Sequence, residues 1–308
     1  MRTEQLEFTG NQGRKLPGIL WLPEESPKMV LQVAHGMTEH MGRYTALARE
    51  LTGLGIVVAG FDLRGHGRNP GDRSCASFGE KGWEATLGDM RCFFEVLSHR
   101  FPGVPLAMLG FSLGSFLVRE YLGRYPDGVT CAAILGTGDQ PGPVLSIMMA
   151  VVKGQIRKAG FDNTTDLVKK LSFENYNRKF APNRTPSDWL CADNAQLDAY
   201  RSDPLCRENI SAGLFWELMG AMKRTGSKTA YAHWNRKMPV LLLSGLNDPV
   251  GDFGKGVERV HQGMEKAGFA DVTVYLLPDA RHDLLHEEES GAAAAARRTL
   301  GQWLLKQV

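Results

Sequence analysis

The sequence predicts an α/β fold: a mostly parallel sheet with helices on both faces, interrupted late in the chain by a helical insertion. Three observations predict it. Short apolar runs alternate with amphipathic stretches from residue 16 to residue 136. Those runs are apolar throughout rather than at every second position, as strands are when both sheet faces are covered. The alternation lapses after residue 139 and resumes at Pro239.

Residues 16–22 (LPGILWL) and 29–34 (MVLQVA) read as strands, 43–53 as a helix and 56–62 (IVVAGFD) as a buried strand. A long amphipathic helix covers 82–101, with Pro102 just beyond it. Residues 105–110 form the next strand, 112–125 a helix that Pro126 ends, and 129–136 another strand. From 140 to 237 the pattern is polar and helical, with Gly, Asn and Pro breaks and no strand. Residues 239–244 then read as a strand, 253–267 as a helix, 272–277 as a strand and 288–306 as a closing helix. The expected organisation is a core over 1–139, an inserted helical lid over 140–237, and the rest of the core over 238–308.

The chain has 308 residues, 43% of them hydrophobic and 23% charged, ordinary values for a globular protein. Such a length builds a core without disulfides or structural metals. A net charge of +2 with scattered basic residues argues against a nucleic-acid partner. The cysteines are Cys75, Cys92, Cys131, Cys191 and Cys206. Their odd number and the lack of any C-x-x-C pair suggest neither a disulfide framework nor a zinc site. They suit a reducing compartment. The first fifteen residues are polar, without the apolar core of a secretory signal. No apolar run approaches the ~18 residues of a membrane span. The expected setting is the cytoplasm.

Gly110, Phe111, Ser112, Leu113 and Gly114 form the only G-x-S-x-G of the chain. The motif follows an apolar strand and opens a helix, the context of a nucleophile elbow in the α/β-hydrolase fold. The turn is so sharp that side chains flanking the serine would clash, which accounts for both glycines. A serine needs a base, because its hydroxyl is a poor nucleophile at neutral pH. The fold puts the acid and then the histidine after later strands. Asp248 follows the strand 239–244, and His282 follows the strand 272–277. Asp252 remains the alternative acid. His99 and His261 lie on helical stretches, His233 in the insertion and His66 in a Gly-rich loop. His35 and His40 precede the nucleophile, against the expected chain order. His282 and His286 have the H-x-x-x-H spacing of a helical zinc site. Asp283 stands in place of the usual Glu, the helix signal is weak, and no third ligand has clear spacing. No metal is therefore expected.

Five motifs in order carry a family resemblance. They are His35–Gly36 with Glu39, His40, Arg43 and Tyr44; Asp62 with Gly65, His66 and Gly67, followed by Gly71, Asp72 and Arg73; the elbow 110–114; Asn247, Asp248, Pro249 and Val250; and Ala280, Arg281 and His282. Together they resemble the monoacylglycerol lipase and lysophospholipase-like group of α/β-hydrolases, the serine aminopeptidase S33-like set. Across the insertion only residues 198–205 (DAYRSDPL) look familiar. The resemblance implies a serine esterase with an oxyanion hole made by the backbone amides of Met37 and Leu113. It also implies a monoacyl lipid ester as substrate, with no cofactor. An aminopeptidase or amidase of the same fold is the alternative, with Glu174, Asp188 or Glu217 to bind a free amine. A non-catalytic ligand-binding member is a further one, though all three triad positions are filled.

The insertion is rich in large apolar residues, some suited to an acyl channel and some to ordinary helix packing. Residues 142–237 hold 15 Lys and Arg against 9 Asp and Glu. That excess suggests weak peripheral contact between the lid and anionic lipid surfaces.

Overall fold

The structure, a computed structural model, describes residues 1–69, 75–206 and 209–308. Eight strands form one sheet: β1 (Arg2–Thr9), β2 (Lys15–Leu22), β3 (Met29–Ala34), β4 (Ile56–Phe61), β5 (Leu106–Phe111), β6 (Cys131–Leu135), β7 (Val240–Gly245) and β8 (Val272–Leu277). Their spatial order is β1-β2-β4-β3-β5-β6-β7-β8. Pairing is parallel from β4 through β8, and β2 is antiparallel to both its neighbours.

Strands β3 to β7 are buried at every position. Successive side chains point to opposite faces, so each run feeds two cores. Met29, Leu31 and Val33 pack on one side with α1 (Thr45–Gly53) and α10 (Ala292–Leu305). Val30 and Ala34 pack on the other with α2 (Gly82–Arg100), α3 (Leu113–Arg124) and α9 (Lys255–Lys266).

Two elements depart from the sequence reading. Strand β1 has no apolar run of its own; only Phe8 is buried, against Phe61 and Phe93 at 5.1 and 4.8 Å between ring centroids. Its partner β2 defines it. The closing helix starts at Ala292 rather than residue 288. Glu287 is instead drawn inward, where its carboxylate accepts the amides of Ala192 and Arg281.

Between β6 and β7 the chain forms α4 (Gly142–Ala159), the short turns α5 (Asp166–Lys169) and α6 (Asn175–Asn177), α7 (Asn194–Ser202) and α8 (Ala212–Thr225). None of its described residues joins the sheet. Helices α4 and α8 pack on each other, and α8 rests on α3. The C-terminal ends of β3, β5, β7 and β8 converge beneath this layer, and the loops leaving them build the site.

Candidate active site

Strand β5 turns into α3 through one residue, Ser112, with φ 52° and ψ −116°. Such a backbone costs on the order of 1–3 kcal/mol and persists only when its surroundings fix it. Here the Ser112 amide donates to Leu135 O at 3.0 Å, tying the turn to β6. A Cβ on Gly110 would lie 2.3 Å from Gly114 O, and one on Gly114 would lie 2.0 Å from Ala34 O. Glycine is therefore required on both sides of the serine. The result is a half-buried hydroxyl at the sheet edge, at the N-terminus of α3.

His282 Nε2 lies 2.8 Å from Ser112 Oγ, and His282 Nδ1 lies 2.9 Å from Asp248 Oδ2. With Nδ1–H donated to the carboxylate, Nε2 is free to accept the serine proton. Asp248 is fully buried and further fixed by Val250 N at 2.8 Å and Ser244 Oγ at 3.2 Å. Burial pulls the imidazole pKa down, but the charge and hydrogen bond of Asp248 outweigh it, so the net shift is upward. Asp252 faces elsewhere and pairs with Arg259 at 3.2 Å. Two aromatic rings pack against the imidazole, Phe111 at 5.0 Å and Trp189 at 5.3 Å.

His35 is a strut. Its Nε2 accepts Leu63 N at 2.9 Å and its Nδ1 donates to Gly36 O at 2.7 Å. Burial lowers its pKa and keeps it neutral. Gly36 lets the loop press close: a Cβ there would lie 2.8 Å from Glu39 Oε1 and 2.9 Å from Phe111. Met37 and Leu113 both line the pocket that holds Ser112 and His282. The familiar stretch 198–205 packs on this loop. Tyr200 OH lies 2.7 Å from Thr38 Oγ1, and Asp203 Oδ2 lies 2.9 Å from His40 Nε2. Gly71, Asp72 and Arg73 lie outside the described residues.

Sequence reasoning assigned no role to a buried network under this loop. Glu39 accepts Gly36 N at 2.6 Å and Tyr44 OH at 2.8 Å, and pairs with Arg43. Arg43 reaches Asp283 at 2.6 Å, and Asp283 holds His286 Nδ1 at 2.6 Å. Burial would raise the Asp283 pKa, but Arg43 and His286 hold it well below the usual carboxylate range. The network locks the loop of residues 35–44 to the His282 loop. The i,i+4 Glu39–Arg43 spacing was the available signal.

Residues 282–286 do not form a helix, and His286 Nε2 meets Arg43 O at 2.9 Å, so both its ring nitrogens are engaged. Among the described residues, His40, Asp203 and Cys206 bring three potential ligand atoms within 4.8 Å of one another. His40 Nδ1 already accepts Gly42 N, so Nε2 carries its proton toward Asp203 and offers a metal no lone pair. His99 and His233 are exposed, and His261 sits between Glu258 and Glu265.

The pocket over Ser112 is a cavity of about 80 Å³. Of the large apolar residues in the insertion, Phe173, Tyr176, Trp189, Leu190, Phe215 and Met222 line it. Leu145, Leu214 and Met219 are spent on the core, and Val144 and Ile147 are exposed. Thr38, Glu39, Arg43, Ser187 and Tyr200 add polar groups to its lining.

A strained serine at a strand-to-helix elbow, hydrogen-bonded to a histidine that a buried aspartate orients, defines a serine hydrolase of the α/β-hydrolase class. The chain belongs to the serine aminopeptidase S33 family, which it matches over residues 25–289. It is 28% identical over 288 residues to the monoglyceride lipase of Homo sapiens, covering 92% of this chain and 84% of that protein. It is 26% identical over 290 residues to the monoacylglycerol lipase of Mycolicibacterium smegmatis, covering 92% and 91%. The fold superposes on a thermostable carboxyl esterase from Bacillus coagulans, crystallised with glycerol. The TM-score is 0.89 at 22% identity, covering the whole of both chains.

Proposed function

We propose that this carboxylic-ester hydrolase cleaves monoacyl lipid esters, monoacylglycerols or lysophospholipids, through an acyl-enzyme on Ser112. The observation that carries the reading is the pocket that holds Ser112, lined mainly by apolar residues with a few polar ones. Its similarity to a monoglyceride lipase and a monoacylglycerol lipase supports the monoacylglycerol part of it. Ser112 Oγ attacks the ester carbonyl while His282 takes its proton, and Asp248 fixes the tautomer and stabilises the imidazolium. The Met37 and Leu113 amides receive the oxyanion, each donor contributing ~3 kcal/mol to transition-state binding. The alcohol leaves with the proton from His282. Water activated by His282 then releases the fatty acid. These steps call on no metal or organic cofactor.

An amidase needs a carboxylate for the substrate amine. Glu174, Asp188 and Glu217 do not line the pocket; Glu39 does, but its carboxylate is engaged by Gly36 N, Tyr44 OH and Arg43. Asp188 caps the amides of Arg184 and Thr185, and Glu217 accepts Trp83 N. A panel of p-nitrophenyl esters, monoacylglycerols, lysophospholipids and aminoacyl amides tests the reading. Monoacyl lipid esters should exceed amides in kcat/KM by about tenfold or more, a discrimination apolar pockets commonly give. A preference for aminoacyl amides would overturn it.

Residues 140–237 act as the cover in this reading. The cavity falls well short of the roughly 300–1,000 Å³ of typical ligand pockets, so acyl binding requires part of the cover to shift. Helix α4 displays Val144, Ile147 and Val151 at 50, 68 and 41% exposure, with Lys153, Arg157 and Lys158 further along. This face suits weak peripheral contact with an anionic lipid surface. Binding to phosphatidylglycerol vesicles should exceed binding to phosphatidylcholine vesicles. It should weaken as salt shortens the Debye length from ~10 to ~3 Å. Binding indifferent to lipid charge and to salt would remove the contact. Among the described residues no helix is long and apolar enough to cross a membrane. An odd number of cysteines without a C-x-x-C pair suits the cytoplasm proposed for this protein.

A further inference from the structure

The insertion is not uniformly attached to the core. Helix α4 buries only Leu145 and Val152. Residues 188–193 are instead fastened to the His282 loop along their whole length. Asp283 N donates to Leu190 O at 2.7 Å, and the Arg281 guanidinium donates to Asp188 O and Cys191 O. Glu289 N donates to Asp193 Oδ2 at 3.0 Å. Between the two segments sits Glu287, fully buried, whose Oε1 accepts Ala192 N and Arg281 N at 3.0 Å each. Its Oε2 has no hydrogen-bond partner among the described residues.

The same stretch brings the Trp189 ring to 5.3 Å from the imidazole, and Phe111 lies at 5.0 Å, so two aromatic rings pack against His282. Trp189 is itself fixed. Its amide donates to Asn177 Oδ1 at 2.9 Å, and Phe173 stacks on its ring at 5.5 Å with 17° between planes. An imidazole that must face a carboxylate on one side and a hydroxyl on the other tolerates little rotation.

We propose that residues 188–193 form a strap on the His282 loop, with Glu287 and Trp189 as positioning residues that keep the imidazole aligned between Asp248 and Ser112. This rests on the catalytic reading of Ser112 and His282.

Hydrogen exchange followed by mass spectrometry tests the strap on the full chain. Peptides covering 188–193 and 281–289 should exchange slowly and together, about tenfold or more slower than those covering 142–159, where only Leu145 and Val152 are buried. Exchange of 188–193 as fast as 142–159 would overturn the strap. Glu287→Ala should speed exchange in both segments and lower kcat ~10–100-fold with KM changed little. Glu287→Gln, whose amide oxygen still accepts both N–H groups, should restore most of kcat. If Glu287→Ala does not fold, Trp189→Ala against Trp189→Phe gives the same contrast. Its readout is the downfield proton resonance of His282 Nδ1–H, broadened in the first and kept in the second. Unchanged kcat in Glu287→Ala or an unchanged resonance in Trp189→Ala would overturn the positioning role. Failure of a fluorophosphonate to label wild-type Ser112 would remove the catalytic reading, and the exchange pattern would still decide the strap.

Discussion

Ser112→Ala is expected to abolish ester hydrolysis, with kcat falling roughly 10⁶-fold, while the protein stays folded. Without Oγ there is no acyl-enzyme. The oxyanion donors and the binding pocket alone retain only a residual acceleration over water, roughly 10³–10⁴-fold in related triads. The fold should tolerate the change because the elbow is held by its backbone. The Ser112 amide bonds Leu135 O, and Ser115 Oγ bonds Ser112 O at 2.6 Å, and both survive in alanine. The lost contact is one hydrogen bond to His282, so stability should change by about 1 kcal/mol or less. Hydrolysis of a p-nitrophenyl ester beside a thermal melt checks both halves. A folded variant that kept a substantial fraction of wild-type turnover would show that the nucleophile lies elsewhere.

That serine was legible because everything that shapes its surroundings is local. A buried strand, two glycines and a helix start within nine residues determine the turn, and the clashes at Gly110 and Gly114 explain why no other residues serve. The central strands were legible for a similar reason: burial on both faces leaves an apolar run, and β3 spans the 29–34 read from sequence. Strand β1 was not, because it is an edge strand whose composition, RTEQLEFT, faces water almost throughout. What sequence reasoning missed in the site depends on contacts between distant segments. Arg43 and Asp283 are 240 residues apart. Asp283, one residue past His282, turns toward Arg43 and His286, and nothing in its own stretch of sequence tells that it will do so. Trp189 read only as one more apolar residue in the insertion, since nothing within its own stretch tells which ring it will meet.

Asp248→Asn carries the other large expected effect: a fall in kcat on the order of 10⁴-fold, with Asp252→Asn nearly silent. The asparagine fits the same space, but its amide can present a donor to His282 Nδ1 where the carboxylate presents only acceptors. That favours the tautomer with the proton on Nε2. An Nε2–H pointing at Ser112 cannot take the serine proton, so the base is lost while the geometry stays intact. The pH profile separates this from a loss of packing. The base works only when neutral, so kcat/KM falls on the acid side as His282 protonates. Burial alone would place that limb below the ordinary 6.5, and Asp248 moves it above. Removing the carboxylate charge leaves burial dominant, and the acid limb of the residual activity should move to lower pH. Asp252, paired with Arg259 on the surface of α9, contributes nothing to that balance. If Asp252→Asn proved the damaging change, or if the limb of Asp248→Asn stayed where the wild type has it, the orienting acid would have to be sought outside the hydrogen bond seen at 2.9 Å.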